Sequence, residues 1–140
     1  MVVIMKNKPK KSKEDFNHWN EQKQKAHFDK QRPFFHEQEV WFCALGANIG
    51  FEQDGRGEGF LRPVLVLKKF NNEIFWALPM TKNIKQGMYY ATISFKENSQ
   101  SSLIFSQIRL VDAKRLAYKA GVVKQNNFDA IKEKIRQLLA

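Results

Sequence analysis

The sequence predicts a mainly β protein of the α+β class: a small antiparallel barrel with a C-terminal helix and an N-terminal helical extension. Three observations carry this expectation. Five runs rich in aliphatic and aromatic residues follow one another between Glu39 and Leu110, each bounded by Gly, Asn or Pro. The connections between them are too short for helical crossovers, so successive strands must run antiparallel in a sheet that can curl on itself. Segments of helical period flank these runs on both sides.

Taken in order, the first 13 residues hold five lysines, one proline and no acid, and predict a basic arm with too little apolar surface to order itself. Ser12 then offers a helix N-cap with Asp15 in the first turn, and Phe16, Trp19, Lys23 and Ala26 recur at roughly helical spacing, so a short amphipathic helix is expected from Lys13 to Phe28. Gln31-Arg32-Pro33 ends it and makes a joint to the main domain. The strands are expected at Val40–Leu45, Leu61–Phe70, Glu73–Leu78, Met88–Phe95 and Leu103–Leu110. Asn71-Asn72 reads as a two-residue turn, because Asn tolerates the positive φ of a tight hairpin. From an Asn127 cap, the apolar stripe Phe128, Ile131, Ile135 and Leu138 predicts a helix docked on the sheet.

A chain of 140 residues holds one domain with a sizeable core. We divide it into an arm and helix, residues 1–37, and a barrel domain, residues 38–140. The net charge of +10 points to a polyanionic partner, and the excess of Lys and Arg sits in residues 1–37 and 114–140, with the middle near balance. Lysine-rich ends also serve solubility alone. Cys43 is the single cysteine, so no intrachain disulfide is possible and a reducing compartment fits. Met1 to Met5 precede the lysine cluster, the reverse of a signal peptide, and no apolar run approaches the ~20 residues of a membrane span. A soluble, cytoplasmic protein is expected.

The chemistry concentrates around Gly50-Phe51-Glu52-Gln53-Asp54-Gly55-Arg56-Gly57-Glu58-Gly59, which feeds into Arg62-Pro63-Val64-Leu65-Val66-Leu67. A mobile loop is thereby set against a rigid strand, and Glu52, Gln53 and Arg62 can converge at one strand end. Pro63 biases Arg62 toward extended backbone. The glycines do not form a phosphate loop, since no Gly-Lys-Ser/Thr ending follows them. One cysteine and scattered histidines give no metal-binding spacing. His18, His27 and His36 all lie in the N-terminal extension and match no core motif.

Further along stand Pro79-Met80-Thr81 and Ser106-Gln107-Ile108-Arg109. With Glu52-Gln53 and Arg62-Pro63-Val64 ahead of them in this order, the chain from about Glu39 onward resembles the MazF/PemK (Kid-like) toxins of bacterial toxin–antitoxin systems. The resemblance implies an SH3-like barrel with a terminal helix, a homodimer, and no cofactor. It implies metal-independent, sequence-specific cleavage of single-stranded RNA. In that reaction the ribose 2′-hydroxyl attacks the adjacent phosphate, leaving a 2′,3′-cyclic phosphate and a 5′-hydroxyl. Arg62 and Thr81 match the family's catalytic arginine and threonine, the first to neutralise the developing charge and the second to donate to the same phosphate. The proton acceptor stays open: Glu52 is a candidate for it, or for bracing Arg62 or touching RNA. Gln53 and Gln107 are expected to read unpaired bases and Phe51 to offer a stacking face. Arg109 either shares that face or pairs with Asp112. Trp41 and Trp76 are expected in the core or a dimer interface. Phe16 and Trp19 need an apolar partner, which the barrel, a second subunit or an antitoxin site would supply. An antitoxin protein is the implied partner.

Two departures stand out: the 36-residue N-terminal extension and a longer loop between Gln53 and Arg62. The alternative is a non-catalytic nucleic-acid- or protein-binding module on the same fold, either CcdB-like or a domesticated relative whose groove the extension occludes.

Overall fold

The computed structural model describes residues 11–140; most of the predicted basic arm lies outside them. Helix α1, Lys13–Phe28, begins at a capping box in which Ser12 accepts from the Asp15 amide and Asp15 accepts from the Ser12 amide. Seven strands follow: β1 Glu39–Ala44, β2 Leu61–Lys69, β3 Ile74–Thr81, β4 Tyr90–Ile93, β5 Ser101–Ile104, β6 Arg109–Asp112 and β7 Leu116–Val122. Helix α2, Gln125–Leu138, closes the chain. Among the described residues no helix is long and apolar enough to cross a membrane.

The sheet is antiparallel throughout, in the order β4-β5-β3-β2-β1-β7, with β6 also pairing β3. It curls: Gly121 in β7 lies against the carbonyl of Phe95 just after β4, so the two outer strands approach each other. A Cβ on Gly121 would stand 2.7 Å from that oxygen, and only glycine admits the contact.

Both faces of β2 are buried, which is why Val64-Leu65-Val66-Leu67 lacks polar alternation. Val64 and Val66 join Phe35, Trp41, Cys43, Phe75 and Val111 in one core. Leu65 and Leu67 join Leu78, Met80, Leu103, Phe128 and Ile131 in the other. Helix α2 lays Phe128 and Ile131 into that second core, with Ile135 and Leu138 partly buried beside them. The expected α2 stripe is therefore the docked face.

The structure corrects several local expectations. The run Leu103–Leu110 is not one strand; a 3₁₀ turn at Phe105–Gln107 splits it, so that β5 pairs with β4 and the end of β3 while β6 pairs with the start of β3. Strand β7 was not anticipated. Its pairing with β1 shifts register twice, and these irregularities erase the period-two pattern a sequence reader looks for. Asn71 and Asn72 do not adopt positive φ. Asn71 instead accepts from the amides of Glu73 and Ile74 through its side chain, turning the chain over a longer connection. Helix α2 starts earlier than expected, with Lys124 at the cap position and Asn127 inside the helix. Trp41 is a core residue, whereas Trp76 is half exposed.

The partner of Trp19 is the barrel. Its indole packs on Gly46, Ala47 and Phe60, and Arg115 stacks over it while donating to the Ala44 carbonyl at 3.0 Å. Phe16 stays 41% exposed.

Candidate functional site

The loop joining β1 to β2 folds back as a small hairpin, in which Arg56 and Leu61 exchange backbone hydrogen bonds at 2.8 and 2.9 Å. Gly55 passes so close to the Phe60 carbonyl that no side chain fits there. This close crossing leads the chain into β2 with Arg62 at its second position.

Arg62 is almost wholly buried, which the sequence did not suggest. Its guanidinium is gripped from three sides: Nε donates to the Asp54 carbonyl at 2.5 Å and Nη1 to the Met80 carbonyl at 3.1 Å. With its carboxamide oxygen facing the arginine, Gln53 accepts from Nη2 at 2.9 Å and from Nε at 3.0 Å. Burial lowers the Arg62 pKa to about 10, with Arg56 adding to the fall and Asp54 opposing it. The group is still a cation at neutral pH.

Thr81 ends β3, where the β2–β3 register Val64↔Pro79, continued by one pleat, sets it across from Arg62. It is buried, and its hydroxyl accepts from the Asn83 amide at 3.2 Å. Arg62 and Thr81 line one open cleft of about 280 Å³ together with Phe42, Arg56, Lys82 and Asn83. A second cleft of about 430 Å³ lies under the N-terminus of α1 and shares Arg56 and Arg62 with the first. Three cations at the first cleft and no carboxylate or imidazole in its lining make it suited to an anion of phosphate size.

The other predicted residues fall around this cleft with different fates. Gln53 and Gln107 are joined, since the Gln53 amide donates to Gln107 Oε1 at 3.1 Å and Gln107 Nε2 donates to the Phe51 carbonyl at 2.8 Å. Phe51 itself points into solvent, 99% exposed. Glu52 does not brace Arg62: it accepts from the Ile49 amide at 3.1 Å, and the bracing is done by Gln53 and Asp54. Arg109 does not pair with Asp112, which is taken by a bidentate contact from Arg32 at 3.0 Å for each oxygen. Nor does strand alternation relate Arg109 to Gln107, because Gln107 lies in the 3₁₀ turn. His18, His27 and His36 line neither cleft. Among the described residues no group of three or more His, Cys, Asp or Glu is placed to hold a metal ion.

A family model described as the PemK-like, MazF-like toxin of type II toxin–antitoxin systems matches residues 36–139. The chain belongs to this family. Solved MazF structures share its fold. MazF (Form-I) from Deinococcus radiodurans is 17% identical, with 79% of this chain and 98% of that one covered at a TM-score of 0.59. The Mycobacterium tuberculosis toxin MazF-mt6 is 14% identical, with 71% and 93% covered at a TM-score of 0.55. An endoribonuclease in complex with its cognate antitoxin, from Mycobacterial species, is 12% identical, with 76% and 95% covered at a TM-score of 0.57. No curated protein sequence matches the chain.

In this MazF-like chain the sequence reading overlooked Asp54, Arg56 and Phe42. Asp54 grips Arg62 through its backbone carbonyl, a role any residue type can fill and no side chain announces. Arg56 had a signal, a cation between glycines in the loop already singled out. Phe42 follows from register: it pairs with Pro63 in β2, next to Arg62.

Proposed function

We propose that this MazF-like protein is the toxin of a type II toxin–antitoxin system and acts as a metal-independent endoribonuclease on single-stranded RNA. The observation that carries the reading is the cleft shared by Arg62 and Thr81 at the facing ends of β2 and β3. A guanidinium has five N–H donors, and the three carbonyl groups that grip Arg62 leave two free for a phosphate. The grip sets the direction of those two bonds before substrate arrives. Such preorganised charge is most effective where water is largely excluded, as at this buried position. Thr81 Oγ1 accepts from Asn83, which leaves its proton free to donate to the same phosphate. As the 2′-oxygen attacks and the 5′-oxygen leaves, the extra negative charge spreads over the phosphate oxygens that Arg62, Arg56 and Lys82 surround.

The base flanking that phosphate is read by Gln53 and Gln107, and Phe51 stacks on a neighbouring base. Residues 38–140 form the catalytic barrel of a cytoplasmic homodimer, with 1–37 as an appended arm and helix, and an antitoxin protein is the partner. Among the described residues of the extension none lines the Arg62–Thr81 cleft, while Lys11 and Asp15 line the neighbouring cleft that shares Arg62.

The test is incubation of a long single-stranded RNA with the protein in EDTA, beside Arg62→Ala and Thr81→Ala variants shown to be folded. Cleavage at a short recurring sequence, ending in a 2′,3′-cyclic phosphate and lost in both variants, is expected. Binding without cleavage by the folded parent would favour a non-catalytic module instead.

A further inference from the structure

The N-terminal helix meets the barrel at two places, the 3₁₀ turn Ala113–Arg115, through Lys114 on the His27 carbonyl and Arg115 over Trp19, and the loop that holds Arg62. Three separate contacts tie the extension to that loop. Lys11, the residue before the α1 cap, forms a 2.7 Å ion pair with the Asp54 carboxylate and also donates to the Asn48 carbonyl. Trp19, one turn and a half into α1, buries its ring on Gly46 at the other side of the loop. Gln22, one turn later, donates to the Glu58 carbonyl at the hairpin tip. The loop's own bonds make it one unit. Asp54 Oδ1 accepts from the Asn48 amide at 2.6 Å, Asn48 Nδ2 donates to the carbonyls of Leu45 and Gln53, and Gly55 donates to Gly46.

Asp54 is therefore a hinge between two partners. Its side chain is held by Lys11 of the extension, and its carbonyl receives Nε of Arg62. Its neighbour Gln53 grips the same guanidinium.

From this chain of contacts we infer that the N-terminal extension is a clamp on the glycine-rich loop, and that Lys11 and Trp19 are positioning residues for Arg62 acting through Asp54. The longer loop and the extension thus belong together: a long glycine-rich connection would move, and α1 supplies the surface that stills it. Lys11 lines the second cleft beside Gln53, Asp54 and Arg62, whereas neither Lys11 nor Trp19 lines the cleft that Arg62 shares with Thr81, so their route to Thr81's cleft is the loop and the guanidinium it holds. A displacement of even ~1 Å at a reacting group costs up to about a hundredfold in rate.

The inference rests on the proposed ribonuclease reading for its kinetic arm only; its other arm needs no activity. Lys11→Ala, Lys11→Arg and Trp19→Phe are compared with the parent. Two readouts are independent of cleavage: amide hydrogen exchange across residues 46–60, and the side-chain Nε–H resonance of Arg62, which a fixed bond to Asp54 keeps sharp and slow to exchange. Lys11→Ala and Trp19→Phe are expected to speed loop exchange and to broaden the Arg62 signal, with Lys11→Arg restoring both. In RNA cleavage, kcat is expected to fall about tenfold or more with little change in KM, and Lys11→Arg to recover it.

Unchanged loop exchange and an unchanged Arg62 resonance in Lys11→Ala and Trp19→Phe would overturn the clamp. A loosened loop with an unchanged Arg62 resonance and unchanged kcat would overturn the positioning role of Lys11 and Trp19. If the parent cleaves no RNA, the ribonuclease reading fails, and the clamp is then decided by the exchange and resonance data.

Discussion

The indole of Trp19 stands where a side chain on Gly46 would be: a Cβ built there falls 2.1 Å from Cε2 of the ring. Gly46 also holds φ at +85°, a conformation that costs other residues energy. Gly46→Ala is accordingly expected to expel Trp19 and destabilise the protein by about 2 kcal/mol or more, combining backbone strain with the lost contact. Denaturant unfolding followed by tryptophan fluorescence measures this. A variant as stable as the parent with an unshifted emission maximum would mean the contact is not made in solution.

Cys43 is fully buried between β2 and β7, and burial pushes its pKa up to about 12, with Arg115 and Arg109 opposing only in part. A thiol of that kind is inert. A disulfide reagent at mildly alkaline pH is expected to leave the native protein unmodified and to label it fully in denaturant. Rapid native labelling would show that β7 peels away from β1.

The Arg32–Asp112 pair joins the segment after α1 to β6. The hydrogen bond from Arg32 holds the Asp112 carboxyl below its ordinary value of 3.8, against the opposing effect of partial burial. Glu39 is also lowered: burial raises it, and bonds from Lys119 and Trp41 outweigh that. For a depressed acid the sign is fixed, since the unfolded chain binds the proton at higher pH than the folded one. The stability from Asp112 is thus present above pH 3.8 and is lost as the pH falls through its lower folded value. Asp112→Asn is expected to be less stable at neutral pH and to lose less on acidification. Parallel Tm-against-pH curves for the two proteins would refute the assignment.

Phe51 contributes its backbone carbonyl to Gln107 but leaves its ring in solvent. Phe51→Ala should therefore keep the parent's Tm. If the ring stacks on a base, binding of a non-cleavable single-stranded RNA weakens by roughly 1–3 kcal/mol, about five- to 150-fold. Titration by fluorescence anisotropy tests it, and equal affinity would remove Phe51 from the substrate site.

What the sequence determined by itself was whatever depends on neighbours along the chain. Ser12 and Asp15 form their capping box within four residues, so α1 was legible to the residue. The doubly buried run Val64–Leu67 identified β2, and the spacing of Phe128 and Ile131 identified the docked face of α2. The pairing of Arg62 with Thr81 was legible only through family resemblance, because their separation of nineteen positions carries no periodicity. Tertiary structure alone decided the rest. β7 owes its existence to an irregular ladder with β1, and a register that shifts twice leaves no alternating pattern to read. Asp54 holds Arg62 by a main-chain oxygen that every residue possesses, and Lys11 reaches Asp54 across 42 intervening positions only once α1 has folded against the loop. Those partners are selected by three-dimensional packing, where a ring, a glycine and an ion pair meet at one place, and chain order holds no record of it.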